Sequence, residues 1–443
     1  MSNTKPEPTR LRVLFHDRPL GEIAYSEKNK CFALQFAQSF LGENHDLSPL
    51  HLPLEKIGGK ALVFRERDSP FAGGLPGLIA DSLPDRWGQR MIDREVPGIC
   101  RTTTLGKLAA IGSRGPGAIS FEPVLGCGAD QESIVGNLAS LADEASLIRT
   151  HPLTPVQVDA ALARGGSSLG GVFPKLTTYL PLMGDDSGQA IALDKVHIGG
   201  HRPPLGHVPC ILKLANAGED AEGTVEYAFW LMARKAGIRV PPACLVNDGQ
   251  RRHFACARFD RHVLPDGSVR KQHCHTLSGM LHKRPAEGGI DYEDYIRLTQ
   301  TLCGVKEAEE CFRRAVFNLL STNRDDHGRN HAYLYDDQAE NKLLAWKLSP
   351  AYDTNPHVAN VLIALTWNHS NARPNASTEV LNLADSGGIP RSRALEIYAQ
   401  VESAILGVGG WTEASRLACI PPATARAWGD NIESQSKHLA IGG

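Results

Sequence analysis

The hydrophobic pattern changes period partway along the chain, and this limits the fold more than any single motif. Up to about residue 260 the apolar residues come in short runs broken by Gly and Pro; from Tyr292 onward helical spacing dominates, as in 311–320 and 393–405. Residues 11–16 and 19–25 read as two strands of a hairpin around Asp17-Arg18-Pro19. Ile79, Leu83, Trp87 and Met91 recur every four residues, which predicts a helix over 79–93 with Pro84 in its first turn. A short helix over 105–111 and a strand near 119–121 follow, and 123–150, with no strong signal, marks a boundary. Residues 168–180 read as a Gly-rich turn running into a β-branched strand, 181–207 as an exposed loop, and 208–214 and 253–259 as strands. Val225, Ala228, Phe229, Met232 and Ala236 share one face of a helix over 224–236, with Gly237 as its C-cap. The expectation is an α+β protein: an α/β first half with a small β-rich subdomain, and a mostly helical second half, in three units at 1–125, 150–260 and 261–443.

Charge and cysteine usage exclude several function classes. A net charge of −2 over 443 residues argues against extensive direct binding of bare nucleic acid, which needs a strongly basic face. The ten cysteines are scattered and none forms Cys-x-x-Cys, so neither a zinc ribbon nor a redox motif is present, and most read as reduced core thiols. The first residues are polar, without a leader-type apolar stretch, and no apolar run is long enough to span a bilayer. The expected location is cytoplasmic.

The residues with the most chemistry lie in Asn323-Arg-Asp325-Asp-His327-Gly-Arg-Asn330. An Asp-x-x-x-x-Asn spacing suits phosphoryl transfer: the aspartate orients or deprotonates a hydroxyl, and the asparagine ligates Mg²⁺ through its amide oxygen. The same residues also make a polar turn with Asx caps. Asp353, after Leu348-Ser-Pro-Ala-Tyr, is a second candidate metal ligand or a turn starter. Lys213, inside the apolar Cys-Ile-Leu-Lys-Leu run, either faces solvent on an edge or grips nucleotide phosphates; Glu226 is then a plausible carboxylate partner, with Glu219 and Glu222 competing. Gly165-Gly-Ser167-Ser168-Leu-Gly170-Gly171-Val-Phe-Pro-Lys175 is Gly-rich enough for backbone amides to approach phosphate, but it is not a Walker A motif. The order is that of the parts of a protein kinase, although His-Arg-Asp and Asp-Phe-Gly are absent. A metal hydrolase built on His273-Cys274-His275 or His327/His331 lacks the glutamate of His-Glu-x-x-His.

With Leu83-Pro84-Asp85-Arg86-Trp87-Gly88, Ile111-Gly112, Pro116-Gly117-Ala118, Arg258-Phe259-Asp260-Arg261 and Ser349-Pro-Ala-Tyr-Asp353 added, most of the chain resembles the HipA family of toxin Ser/Thr kinases. The resemblance implies an N-terminal HipA-type subdomain, an ATP-binding α/β lobe and a helical catalytic lobe. It implies Asp325 as catalytic aspartate, Asn330 and Asp353 as Mg²⁺ ligands, and Lys213 on the ATP phosphates. His327 would lie against the nucleotide, Ala257, Arg258 and Phe259 would form the hinge beside adenine, and 170–175, with Gly170, Gly171 and Lys175, would cover the phosphates. Ser168, or Ser167 beside it, would be the autophosphorylated serine that silences the enzyme. A HipB-like helix-turn-helix antitoxin would bind it and bring it indirectly to operator DNA, and a translation factor or tRNA synthetase would be its protein substrate. Asp326 stands where family members frequently have glycine, altering metal binding or substrate choice or pointing to solvent. A catalytically inactive corepressor module and a kinase of small-molecule acceptors are the rival readings.

Overall fold

The computed structural model describes residues 7–95, 103–125, 133–151, 159–166, 173–181, 189–200, 202–216, 221–284, 289–354, 365–367, 374 and 377–439. The fold is α+β, as the change of period predicts. A five-stranded antiparallel sheet opens the chain: Arg10–Phe15, Arg18–Ser26, Cys31–Phe36, Leu62–Phe64 and Ile119–Glu122, with the first strand between the second and the last. The predicted hairpin is its centre, turning at His16 and Asp17, both at positive φ (49° and 60°).

The helix expected over 79–93 is two helices, Gly77–Ala80 and Arg86–Glu95. Pro84 does not sit in a first turn; the chain breaks before it and restarts after Asp85, whose side chain accepts the Gly88 N–H (2.6 Å) and whose carbonyl accepts that of Gln89 (2.9 Å).

A second sheet has seven strands in the order Ile134–Asn137, Lys195–Ile198, Lys175–Pro181, His207–Lys213, Arg252–Ala257, Ala243–Asn247, Ile191–Ala192. Two expectations change here. The segment 123–150 carries the edge strand Ile134–Asn137 and the helix Leu138–Thr150, capped by the Asn137 side chain on Ser140 N (2.9 Å). The exposed loop expected over 181–207 contributes two strands of two and four residues, too short for alternation to show. Helix Ala221–Lys235 lies against this sheet, and a Cβ on Gly223 would stand 2.5 Å from the Arg252 carbonyl, so only glycine allows the approach.

The second half has helices Tyr292–Cys303, Val305–Leu320, Ser377–Ser386, Arg391–Leu406, Trp411–Leu417 and Pro422–Leu439 around a three-stranded sheet, His273–Thr276, Ala332–Tyr335 and Trp346–Leu348. One hydrophobic core runs from the first sheet through helix Ala221–Lys235 into these helices; a second fills the other face of the seven-stranded sheet. The halves therefore share packing, which holds the site between them. Among the described residues no helix is long and apolar enough to cross a membrane, and of the eight described cysteines, all free, five are buried and Cys419 is exposed.

Candidate active site

Strands Lys175–Pro181 and His207–Lys213 pair antiparallel with Lys213 directly opposite Lys175. Directly opposed residues of an antiparallel pair point to the same face, so two ammonium groups meet there. Three carboxylates offset them. Lys213 Nζ donates to Glu226 (2.5 Å), from helix Ala221–Lys235, and to Asp353, from beyond strand Trp346–Leu348. Lys175, only 3% exposed, reaches Asp85 (3.5 Å), the residue that caps helix Arg86–Glu95. Of the competing glutamates, Glu222 pairs instead with Arg149 (3.1 Å), and Glu219 lies outside the described residues.

The electrostatics follow from burial and from this sharing. Burial alone would lower the Lys213 pKa, but Asp353 and Glu226 reverse the direction and keep the ammonium charged. Burial would raise the Asp353 carboxyl; Lys213 and Lys175 instead hold it down at about 2. Glu226 is pushed up to about 7 by burial, with Asp353 adding to the rise and Lys213 only partly opposing it. Asp353 has φ 56°, a left-handed conformation uncommon for a non-glycine residue and a mark of functional positions. Tyr352 secures it by donating to the Arg329 carbonyl (2.6 Å).

Helix Val305–Leu320 delivers the Asp325 segment. Asp325 N–H donates to Asn323 Oδ1 (3.1 Å), and Asn330 Nδ2 donates to the Asp325 carbonyl (2.7 Å). The Asp325 carboxylate is the exposed part, 39% accessible, with His327 Nε2 3.9 Å away. Asp326 does not point to solvent. It is 3% exposed and accepts a short hydrogen bond from the Tyr292 hydroxyl. That hydroxyl also accepts from Asn318 Nδ2 (3.2 Å), and Asn318 Oδ1 accepts from Asn323 (3.1 Å). A closed circuit thus runs from Asp326 through two helices back to the amide of Asp325. Tyr292→Phe removes its hub and leaves a buried carboxylate without that donor; the expected loss is about 2 kcal/mol of unfolding free energy, read by urea denaturation.

Asn330 and Asp353 line one narrow cavity with Asn318, Asn323 and Asp326. Asn330 spends its Nδ2 on Asp325, so its amide oxygen is the atom that could hold a cation. A carboxylate and an amide oxygen are donors for a hard cation such as Mg²⁺, and the Lys213 ammonium on Asp353 marks where positive charge is required. At the predicted hinge, Ala257 N–H donates to Pro242 (2.8 Å) and Arg258 N–H to Pro209 (2.8 Å), and the Phe259 ring stands 5.4 Å from that of Tyr352. The Arg258 side chain turns aside to Asp260, in two 2.9 Å bonds. Ser167, Ser168, Gly170 and Gly171 lie outside the described residues.

Asp85 and Tyr292 were not among the candidates. A Pro-Asp pair ahead of an apolar helix was a capping signal for Asp85; nothing local pointed to Tyr292. Of the histidines of the hydrolase reading, His273, His275 and His331 are buried, and only His327 stands beside Asp325. His275 bonds Asp81 (2.6 Å), and His331, pushed down to about 3 by burial, packs on Tyr295. Among the described residues no group of His, Cys, Asp and Glu of three or more is placed to hold a metal.

Comparison with known proteins gives three results. The family models described as the HipA N-terminal domain and the HipA-like C-terminal domain match residues 11–122 and 167–408. A Sinorhizobium fredii protein named "Putative kinase Y4mE" is 27% identical over 368 residues, 79% of this chain and 77% of that protein; a Haemophilus influenzae protein with a kinase name is 29% identical over 143 residues, 29% of this chain and 39% of that one. The HipA toxin of Shewanella oneidensis MR-1, solved in a complex with HipB and operator DNA, superposes with a TM-score of 0.66 at 17% identity, covering 97% of both chains.

Proposed function

The chain belongs to the HipA family, and from that premise we propose that it is an ATP-dependent protein Ser/Thr kinase acting as the toxin of a toxin–antitoxin pair. The observation that carries the reading is the Lys213 ammonium held between Glu226 and Asp353, with Lys175 opposite. Two cations on one sheet face, Lys175 buried and Lys213 half-buried, suit a polyphosphate, and a catalytically inactive binding module would have no use for their cost. In this reading Lys213 and Lys175 hold the ATP phosphates, and the hinge backbone at 257–259 receives adenine. Asp325 takes the proton of the acceptor hydroxyl as its oxygen bonds to the γ-phosphorus; the bond to the β-phosphate oxygen breaks and ADP leaves. Asn330 and Asp353 would hold Mg²⁺, which supplies neutralisation of phosphate charge.

Ser168, or Ser167, is the proposed site of self-phosphorylation, where a charge of about −1.5 to −2 would repel bound phosphates. The proposed partner is a helix-turn-helix antitoxin that carries the chain to operator DNA, a route compatible with a net charge of −2; the proposed substrate is a protein of translation, and the proposed location is the cytoplasm. Incubation with γ-labelled ATP and magnesium tests the activity. Label on the chain, lost with a chelator and removed by Ser168→Ala, is the expected result. A phosphopeptide surviving in Ser168→Ala moves the assignment to Ser167. No transfer to the chain or to any protein of a cell extract ends the protein-kinase reading, and label on small molecules alone would favour the second acceptor class.

A further inference from the structure

The sheet register opposes like charges in a second place. In the hairpin Arg261–Val263/Val269–Lys271, Arg261 faces Lys271. Directly opposed like charges destabilise an antiparallel pair, and at Lys213/Lys175 three carboxylates relieve the conflict. Here a single carboxylate, Asp260, is already shared: it takes two bonds from Arg258 (2.9 Å each), one from Arg261 (2.8 Å) and one from the Gly117 N–H (2.9 Å). Lys271 has no hydrogen-bond or ion-pair partner among the described residues. Burial, with Arg261 and Arg258 adding repulsion, pushes its ammonium down to about 8, against the weaker pull of Asp17 and Asp260.

These groups line a groove of ≈ 790 Å³ between the first sheet and the seven-stranded sheet. Its basic side chains are Arg114, Arg164, Arg258, Arg261, Arg270 and Lys271; its acidic ones are Asp17 and Glu122; Glu122 is paired with Arg12, Arg270 with Asp337, and Arg258 and Arg261 with Asp260. That excess sits in a chain whose net charge is −2. The groove also holds a hydroxyl with nothing to bond: Ser120 Oγ lines it, is buried with the residue 3% exposed, and has no hydrogen bond. A buried hydroxyl in that condition calls for a ligand or water. Arg258 Nη1 and Arg261 Nε are likewise not used in the Asp260 knot.

We propose that this groove is a second anion site, taking a phosphate group against Lys271, with Ser120 and the spare N–H groups of Arg258 and Arg261 as donors. It is distinct from the lysine pair: neither Lys175 nor Lys213 lines it, and the wall residue nearest to Lys175 along that strand is Thr177, two residues on, about 7 Å at the rise of a strand. It does not depend on phosphoryl transfer by the chain. Its size admits the phosphate of a small metabolite or of a phosphorylated side chain.

Calorimetric titration of the full chain with inorganic phosphate is the test. Lys271→Met is expected to weaken binding at least tenfold and Ser120→Ala severalfold. Without phosphate, Lys271→Met is expected to melt at or above the wild-type temperature, because a repelled, half-buried cation is gone. Phosphate affinity unchanged in Lys271→Met, or a marked fall in its melting temperature without phosphate, overturns the proposal. Competition by a phosphoserine peptide against a sugar phosphate then identifies the source by whichever displaces inorganic phosphate at the lower concentration.

Discussion

Asp325→Ala is expected to fold normally, to bind ATP as the wild type does, and to transfer phosphate about a thousandfold more slowly, within the range for loss of a positioned general base and equivalent to about 4 kcal/mol of barrier. The separation of binding from transfer follows from which atoms of Asp325 the fold uses. Its amide donates to Asn323 and its carbonyl accepts from Asn330, and alanine keeps both bonds. Its carboxylate is 39% exposed, so the unfolding midpoint is expected to move little. Lys213, Glu226 and Asp353 lie on other elements and keep their pairing. Asp325→Asn discriminates further, since it keeps the shape and a hydrogen-bond acceptor but not a proton-accepting carboxylate. An equal loss in Asn and Ala assigns the effect to proton acceptance. Transfer within threefold of wild type in both would take Asp325 out of the chemistry. A contrasting loss is expected for Tyr292→Phe, which lowers stability as well, because its hydroxyl holds the loop from beneath.

What could be read in the sequence was whatever lies close together in it. Asp325 and Asn330 are five residues apart and bonded to each other, so their spacing carries the geometry. Lys213 was legible as an ionisable residue in an apolar strand, but its partner was not. Glu222 and Glu226 are one helical turn apart, and what separates them is Arg149, from a helix in a segment that gave no signal. Asp85 lies 90 residues from Lys175, and only the tertiary fold brings them together. Asp326 was left between metal and solvent because a lone carboxylate has no periodicity; the hydroxyl that takes it inward belongs to Tyr292, 34 residues earlier. The same limit explains the elements. Helix Ala221–Lys235 has an apolar stripe and was readable, whereas the two- and four-residue strands within 191–198 take their conformation from the neighbours they pair with.

Lys213→Ala is expected to impair both binding and stability, and the two losses are separable by pH. Loss of charged hydrogen bonds to phosphate costs about 1.5 to 3 kcal/mol, so the ATP dissociation constant rises roughly 10- to 100-fold. The stability loss arises because Glu226, 6% exposed, and Asp353, only half-buried, no longer share a cation, and breaking a buried pair from one side costs up to about 3 to 5 kcal/mol at pH 8. Glu226 already titrates at about 7 with Lys213 in place, and removing the ammonium that opposes its rise moves it higher. The folded state then holds a proton that the unfolded chain, with an ordinary glutamate, has released near neutrality. More protons bound in the folded state make stability fall as pH rises, so the penalty is largest at pH 8 and shrinks towards pH 5, where Glu226 is neutral. The deficit in ATP affinity has another origin, the missing contact with phosphate, and does not recover over that interval. Urea midpoints at pH 5, 6.5 and 8, with ATP affinity at each, give the comparison. A stability deficit that is flat with pH would mean that the carboxylates are not held by Lys213, and an unchanged ATP affinity would remove the lysine from the nucleotide site.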